Sequence, residues 1–345
     1  MRVFITVLCL FALVFQVKAD ERKKSYEKKS SKGDLEELII NNKYGKIEVE
    51  QHDGEELEVI ATMTAVAKTA AKADEVLGLV QVIEMPIGNK LQLETELGKE
   101  MNVPQFLTGF TLSIDYKVLL PRGIDLRLIC SNGDVYINHF EGELNVDIQY
   151  GNFKAATLKG GEVNIKQHKG EFVVKEVVVL NGEFKECKLC IETGEKIFLT
   201  TNACNGELGS LDELNIRSSG GTLKIGDIEE LRGSSSFTKY EVQDLANLLD
   251  MDLKMGEMNI RNVQKMFSQI RMSASFTKVG LTFPQGAGYQ LELKRNKSLK
   301  LELPEGVALD EHAERNKIIG TKHIGDIQFT GQVLLDISNG SLFIQ

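Results

Sequence analysis

A short pattern of polar and apolar positions repeats along the middle of the chain. A glycine is followed by a polar, an apolar, a second polar and a second apolar residue. The glycine permits a tight turn, and the alternation after it is the period of a strand with one buried face. Two repeats span roughly 18–20 residues, which predicts strands that stack into a β-solenoid. The most regular copies are GDVYI from Gly133, GELNV from Gly142, GNFKA from Gly151, GEVNI from Gly161 and GEFVV from Gly170.

The pattern therefore predicts an all-β chain, a β-solenoid like a parallel β-helix with coils of roughly 18–20 residues. Residues 68–82 interrupt the alternation, because Ala70, Ala73, Leu77 and Val80 recur there at helical spacing. We expect one α-helix in this segment. It should belong to an N-terminal cap, because the open end of a solenoid is an unpaired sheet edge.

Four segments follow from these patterns. Residues 1–19 combine Arg2, an apolar stretch and a small-residue cleavage site, which is typical of a signal peptide. Residues 20–33 are strongly charged and are interpreted as a solvated linker. Residues 34–124 are predicted to form the capping strands and helix, and residues 125–345 the solenoid. The last strand, SLFIQ, has no visible cap in the sequence.

Charge and hydropathy narrow the class of partner. The chain carries 41 Lys and Arg against 50 Asp and Glu, for a net charge of −9. Removal of residues 1–19 takes away two basic residues and no acidic ones, so the mature protein is more acidic still. That balance argues against nucleic acid as a partner. No later stretch approaches the ~20 apolar residues of a membrane-spanning helix, so we expect no integral span after cleavage.

Alternation also assigns faces to the strands. Outward positions are the only candidates for ligand binding, and Tyr136, Asn145, Lys154 and Asn164 are the residues that we propose for that role. Ten apolar residues are predicted to point inward: Val135, Ile137, Leu144, Val146, Ile148, Phe153, Val163, Ile165, Phe172 and Val174.

One catalytic string occurs twice, as Ser236-Phe-Thr-Lys239 and as Ser275-Phe-Thr-Lys278. Penicillin-binding enzymes use Ser-x-x-Lys on a helix, where both residues share a face. In a strand these two residues point to opposite faces. We therefore expect strands with the phenylalanines inward and no catalytic residues at either copy.

Cys187-Lys-Leu-Cys190 has the spacing of a redox or zinc pair, but no second such pair and no zinc-finger histidines accompany it. The mature chain also contains Cys130 and Cys204. Buried free thiols, a disulfide, or a metal or redox role all remain open. No phosphate-binding, dinucleotide-binding or metalloprotease motif is present, so we predict no cofactor and no metal. Sugar platforms favour exposed tryptophan, and the chain has none.

The whole mature chain resembles the putative-adhesin domain family of bacterial envelope proteins, common in Bacteroidetes and related to the GIN-head and toast-rack families. The resemblance rests on the opening LIINNKYGKIEVEQHDG, the inserted helix before Gly88-Asn89, the strand entry at Pro121 into SNGDVYI, and the ladder of glycine phrases. It implies a β-solenoid outside the cytoplasmic membrane, and it brings no functional residues.

These observations predict an exported, non-enzymatic, adhesin-like or structural interaction protein. Its location would be the periplasm, the outer-membrane surface or the extracellular space, and its partner an envelope protein or a glycan. Two alternatives stay open: a β-helix polysaccharide lyase or hydrolase, and a periplasmic component of envelope-stress signalling.

Overall fold

The computed structural model describes residues 19–102, 109–328 and 331–345, so the predicted signal peptide lies almost wholly outside the described residues. The described chain is nearly all β with one α-helix, as the sequence predicted. The elements in chain order are β1 Asp20–Ser31, β2 Glu37–Lys43, β3 Ile47–His52, β4 Glu56–Ala67, α1 Ala70–Gly78, β5 Val80–Ile87, β6 Lys90–Leu97, β7 Phe110–Pro121, β8 Asp125–Ser131, β9 Val135–Gln149, β10 Phe153–Lys254, β11 Glu257–Val263, β12 Gln269–Ser275, β13 Lys278–Leu281, β14 Tyr289–Arg295, β15 Lys300–Glu302, β16 Asp310–Glu314, β17 Lys317–Ile324, β18 Gly331–Ser338 and β19 Ser341–Ile344. A short 3₁₀ helix also spans Lys99–Asn102.

Parallel pairing at a regular offset dominates the middle of the chain. Phe153 lies beside Val135, and Val163 lies beside Leu144. Leu144 in turn lies beside Leu126. The strand β10 continues this extended backbone for 102 residues and bends at the turns between successive levels of the array. The chain therefore returns to the same side of the structure every 18–19 residues in this region.

The strand pairings form two series whose outer sides we call the first face and the second face. The first face runs β5, β6, β2, β8, β9 at the N-terminal end and β10, β12, β18, β14, β17, β16 at the C-terminal end. The second face runs β1, β4, β7, β3, β9 and then β10, β11, β13, β19, β15. The apolar side chains of both series meet between them, where Phe153 stacks on Phe172 with ring centroids 5.2 Å apart.

All ten residues that were predicted to point inward are buried, each no more than 4% exposed. This result follows from the period of two along β9 and the start of β10. The single α-helix is shorter than predicted. It begins after Thr69, whose hydroxyl accepts a hydrogen bond from the Lys72 amide, and β5 starts at Val80. Residues near both ends of 68–82 are therefore not helical.

The charged segment 20–33 is not a solvated linker, which corrects the sequence interpretation. Residues Asp20–Ser31 form β1 and pair antiparallel with β4 along its full length. Lys29 binds Glu58 at 2.8 Å, and the Tyr26 hydroxyl donates to Glu84 at 2.9 Å. The charged composition was misleading because β1 is an outer strand with one side in water. Charged residues can form such a strand when opposite charges on the neighbouring elements pair with them.

The C-terminal strand does not end at an open edge. The strand β19 pairs in parallel with β13 on one side and with β15 on the other. In the same way β18 lies between β12 and β14. Antiparallel β17 and β16 lie beyond β14 and form the outer edge of the first face. The chain end therefore inserts between earlier strands, an arrangement that alternation cannot reveal.

Candidate functional site

At one edge of the molecule, the chain turns from the first face to the second face through a residue in the left-handed backbone conformation. We call this turn a left-handed corner, and it recurs along the chain. Its residues have positive φ angles of 51–76° and recur every 17–21 residues from Asn132 to Phe276. Such angles are uncommon outside glycine, so ten non-glycine residues among the eleven corners mark a structural rule. The corner residues are Tyr44, Asn132, Tyr150, Lys169, Glu186, Ala203, Gly220, Phe237, Met255, Phe276 and Asn339.

The residue after each corner is glycine, cysteine or threonine. A Cβ atom at Gly133 would lie 1.7 Å from the carbonyl oxygen of Gly45 on the neighbouring strand. The same atom at Gly151 would lie 1.8 Å from the oxygen of Gly133. The glycine that opens several of the repeated phrases is therefore required by the close approach of two backbones at the corner.

Where threonine stands in place of this glycine, its hydroxyl donates a hydrogen bond to the carbonyl oxygen two residues earlier. The Thr238 hydroxyl donates to the carbonyl oxygen of Ser236 at 3.2 Å, and the Thr277 hydroxyl donates to that of Ser275 at 2.9 Å. Both threonines are 1% exposed. The hydrogen bond satisfies a hydroxyl that would otherwise be buried without a partner.

The phenylalanines of the repeated Ser-Phe-Thr-Lys string point outward, which corrects the sequence prediction. Phe237 is 61% exposed and Phe276 is 62% exposed, because each occupies a left-handed corner. A positive φ breaks the alternation of a strand, so the residue predicted to point inward projects into solvent. Met255, at the corner between them, is 48% exposed. We call Phe237, Met255 and Phe276 the apolar corner.

These three residues lie on neighbouring strands. Lys239 pairs with Glu257 and Lys254 pairs with Ser275, so each corner stands directly beside the next. The amide of Met255 donates to the carbonyl oxygen of Ser275 at 2.9 Å. The apolar corner is thus a continuous exposed ridge.

Neither Ser-x-x-Lys string brings a lysine to a serine hydroxyl. Lys239 follows the corner onto the second face and binds Glu241 at 2.8 Å. Lys278 binds Glu257 at 3.3 Å on the same face. Ser236 and Ser275 precede the corner and lie on the first face. The expected separation of serine and lysine is found, although a corner and not an unbroken strand produces it.

A shallow groove of about 670 Å³ lies on the first face beside the apolar corner. Eight serines line it, and five of them form the set that we call the serine face. Their hydroxyls make no hydrogen bond within the described part of the chain. A serine hydroxyl can donate one hydrogen bond and accept two, so this surface offers free groups of both kinds. The serine face consists of Ser219, Ser234, Ser236, Ser273 and Ser275.

Three charged side chains of the groove are also unpaired. Arg217, Asp252 and Lys254 are exposed and form no ion pair among the residues that the structure describes. On the second face, by contrast, Lys188 binds Glu171 at 3.3 Å and the Lys224–Glu207 pair is 3.5 Å apart. The serine face therefore offers polar groups that are not already satisfied within the described residues.

A buried polar cluster supports this corner from inside. The hydroxyls of Ser218 and Tyr240 are 2.6 Å apart, and Ser218 donates to Thr238 at 3.0 Å. Burial raises the pKa of Tyr240 to about 12, so its hydroxyl keeps its proton and can donate. These side chains fix Thr238 and hence the direction in which Phe237 leaves the backbone.

The four outward residues selected from the sequence fall on two different faces. Tyr136 lies beside Lys154 on the second face, and its hydroxyl donates to Asp134 at 3.0 Å. Asn145 lies beside Asn164 on the first face and accepts a hydrogen bond from it at 3.2 Å. The structure therefore joins them as two pairs and does not form one site from all four.

The cysteines do not form the pair suggested by their spacing. Cys187 is buried, whereas Cys190 is half-buried on the other side of the strand. Cys187 and Cys204 instead follow neighbouring corners, and the Cys187 amide donates to the Cys204 sulfur at 3.4 Å. The neighbouring Cys187 thiol lowers the pKa of Cys204 below its ordinary value. All four described cysteines are free thiols.

Two other kinds of feature, a metal site and a membrane-spanning helix, are absent from the described residues. Among the described residues, no group of three or more His, Cys, Asp or Glu side chains could hold a metal ion. In that same part of the chain, no helix is both long and apolar enough to span a bilayer.

The serine face and apolar corner were missed by sequence analysis, although a signal was present. Tyr44-Gly45 and Tyr150-Gly151 place an aromatic residue directly before a turn glycine. Phe237-Thr238 and Phe276-Thr277 are the same corner with threonine in the glycine position. Aligning threonine with glycine would have placed both phenylalanines at the corner.

Comparisons with known proteins returned distant structural likenesses. No protein-family model matches the chain, and no curated protein matches it. The crystal structure of a putative adhesin from Bacteroides fragilis NCTC 9343 is 16% identical, covers 75% of this chain and 96% of its own, and has a TM-score of 0.34. A putative adhesin from Parabacteroides merdae ATCC 43184 is 11% identical, covers 93% and 96%, and has a TM-score of 0.32.

A third solved structure carries a different description. A putative lipid binding protein from Parabacteroides distasonis ATCC 8503 is 15% identical, covers 76% of this chain and 95% of its own, and has a TM-score of 0.35. Similarities this low establish neither a shared fold nor a function, so the site must be interpreted from its own geometry.

Proposed function

We propose that this chain is an exported, non-enzymatic, adhesin-like binding protein of the bacterial envelope. In this proposal residues 1–19 are a signal peptide, and the parallel strands wind as a β-solenoid with one left-handed corner per coil. The recurrence of that corner every 17–21 residues supports the winding. The resemblance of the sequence to envelope proteins supports the location.

The observation that carries the binding role is the position of the serine face beside the apolar corner. Hydroxyls and charges without a partner among the described residues lie there next to three exposed apolar side chains. Exposed apolar residues next to unsatisfied polar groups are typical of an interaction surface. We therefore assign ligand binding to the serine face and the apolar corner.

The test is binding of the mature protein, residues 20–345, to isolated bacterial envelopes. The double variant Phe237→Asn/Phe276→Asn removes two aromatic rings without disturbing the backbone, because Asn132 and Asn339 already occupy the same corner. Tyr150→Asn is the matched control at a corner outside the groove. We expect the double variant to bind at least tenfold more weakly and the control to bind normally. Absence of binding by the wild-type protein, or equal binding by the double variant, would refute the assignment.

The polysaccharide lyase or hydrolase remains a second candidate, because the groove brings Arg217, Asp252, Lys254 and Asp336 onto one wall. Asp336, however, already accepts a hydrogen bond from Lys317 at 2.6 Å, so this carboxylate is engaged within the chain. Release of reducing ends or unsaturated sugars from envelope polysaccharide, lost on Asp252→Asn, would support the enzyme. Unchanged polysaccharide would support binding alone.

A further inference from the structure

The chemistry of the groove indicates a class of ligand. We propose that the serine face and the apolar corner bind an extended, neutral polysaccharide chain that runs along the stacking direction of the strands. This inference rests on the proposed binding function and adds the nature of the ligand.

Free hydroxyls are the first reason. The Oγ atoms of Ser219 and Ser236 stand on neighbouring levels of the groove, and Lys254 stands on the next level, beside Ser275. The three serine hydroxyls are not used within the described chain. Each can donate and accept, as a sugar hydroxyl also does. Neighbouring strands are about 4.8 Å apart, so equivalent groups repeat at a distance comparable to one sugar ring in an extended chain. A polymer of similar units could therefore meet a polar side chain at each level.

The exposed aromatic rings are the second reason. The exposed Phe237 and Phe276 directly follow Ser236 and Ser275 of the groove, and Met255 lies at the corner between them. One side of a pyranose ring carries C–H groups, which pack on flat apolar side chains. Aromatic side chains supply a large contact area with few rotatable bonds, so their ordering on binding costs little entropy. The absence of tryptophan, which argued against sugar binding from sequence, is offset by two phenylalanines that alternation had placed in the core.

Charge gives the third reason. Arg217 and Lys254 are balanced in part by Asp252, and the whole chain has a net charge of −9. A nucleic acid or another strong polyanion would meet an unfavourable long-range potential. A neutral polymer meets no such repulsion, and its hydroxyls can hydrogen-bond to the unpaired carboxylate, guanidinium and ammonium groups.

The backbone argues against an extended peptide. Peptides add to sheets through an unpaired strand edge. Beside the groove, β12 is paired on both sides, with β10 and with β18. The surface therefore presents side chains and no free backbone edge. A lipid surface would require a larger apolar area and a cluster of basic residues, neither of which borders the serine face.

Selective destruction of envelope components tests the ligand class. Envelopes are treated with periodate, which cleaves sugar diols, or with a broad protease, and binding of the wild-type mature protein is measured against untreated envelopes. We expect periodate to lower binding at least tenfold and protease to leave it unchanged. Loss of binding after protease, with no loss after periodate, would overturn the polysaccharide proposal and leave the binding function standing. No binding to untreated envelopes would overturn the proposed function itself.

Purified polymers give an independent measurement. The mature protein is titrated with a β-1,4-glucan, a β-1,3-glucan, an α-mannan and an N-acetylglucosamine polymer, with heparin as the polyanion and phosphatidylglycerol vesicles as the lipid probe. We expect at least one neutral polymer to bind, to bind more tightly as its oligomers lengthen, and to lose at least tenfold in affinity in Phe237→Asn/Phe276→Asn but not in Tyr150→Asn. Binding of heparin or vesicles alone, or equal affinity of the double variant, would overturn the proposal.

Discussion

At the scale of single residues, the left-handed corner restricts two consecutive positions in opposite ways. The corner residue itself faces solvent and tolerates tyrosine, lysine, glutamate or phenylalanine. The residue after it faces a neighbouring carbonyl group so closely that glycine is favoured. Cysteine or threonine is accepted where its polar hydrogen reaches the carbonyl oxygen two residues earlier, as at Thr238. Because the corner position accepts many residue types, it can carry residues that bind a ligand.

The steric requirement predicts a large effect for Gly151→Ala. The added Cβ would lie 1.8 Å from the Gly133 oxygen, so one backbone must move. We expect a loss of at least about 2 kcal/mol in the free energy of unfolding. The control is Gly78→Ala, where the new atom meets nothing within 4 Å at the end of α1. That variant should be neutral or slightly more stable, since alanine favours a helix. Equal denaturation midpoints for the two variants would contradict the corner rule.

A buried carboxylate predicts a pH dependence. Glu37 is 7% exposed and binds Lys90 at 2.5 Å and Arg127 at 3.0 Å. Burial opposes its ionisation, but the hydrogen bonds from Lys90 and Arg127 outweigh burial and lower its pKa below the ordinary 4.5. A carboxyl with a lowered pKa in the folded state stabilises the fold at neutral pH. That contribution is lost as the pH falls below about 4.5 through the folded-state pKa.

Urea denaturation of Glu37→Gln at pH 7 and below pH 4.5 measures this contribution. The variant should be less stable than wild type at pH 7, and the difference should shrink in acid. Glu55→Gln, the same change at an exposed position, should leave the whole pH profile unchanged. A constant difference between Glu37→Gln and wild type at both pH values would show that this ion pair does not titrate as described.

At the scale of elements, alternation within a strand determines the core. Along β9, Ile137 is 3% exposed and the adjacent Asn138 is exposed. Each level of the parallel array repeats this division, so the core is a continuous column of aliphatic and aromatic side chains between the two faces. Elements at the ends depart from the pattern, because antiparallel strands cover the last parallel ones.

Adjacent substitutions test this register. Ile137→Asp places an unpaired carboxylate in the core and should cost about 3 kcal/mol or more. Asn138→Asp makes the same side chain one residue later, in solvent, and should change stability by less than about 0.5 kcal/mol. Thermal or urea denaturation compares the two variants directly. Equal destabilisation would mean that the face assignment of β9 is incorrect.

The sequence predicted what depends on local periodicity and missed what depends on long-range pairing. Val146 and Ile165 were assigned correctly, because a strand of period two leaves no other choice. Phe237 was assigned to the core because nothing local distinguishes a strand residue from a left-handed corner before threonine. Strand β1 was missed because its stabilising partner, β4, lies more than twenty residues away in sequence. The serine face could not be foreseen, since it joins residues from levels that are distant along the chain.

At the scale of the whole molecule, antiparallel strands flank the parallel array at both ends. The terminal strand β19 lies inside the second face, between β13 and β15, and Leu342 and Ile344 are at most 1% exposed. Among the described residues, the outermost strands β1, β5, β15 and β16 each pair with one neighbour only.

Leu342→Ala tests whether the chain end is structural. The side chain is 0% exposed, so its truncation should cost about 2–5 kcal/mol even though it is three residues from the C-terminus. Phe343→Ala, at the adjacent half-buried outward position, should cost less than Leu342→Ala. Urea denaturation gives both values. A terminus that frays in solution would make Leu342→Ala indistinguishable from wild type.

The most direct test of the central claim is oxidative footprinting of the mature protein with and without bacterial envelopes. Without envelopes, hydroxyl radicals should modify Phe237, Met255 and Phe276, because all three are 48–62% exposed, and also Met266, which is 78% exposed and lies outside the groove. With envelopes, the apolar corner should become protected while Met266 stays reactive. Unreactive phenylalanines in the free protein, or equal reactivity of the apolar corner with and without envelopes, would contradict the account.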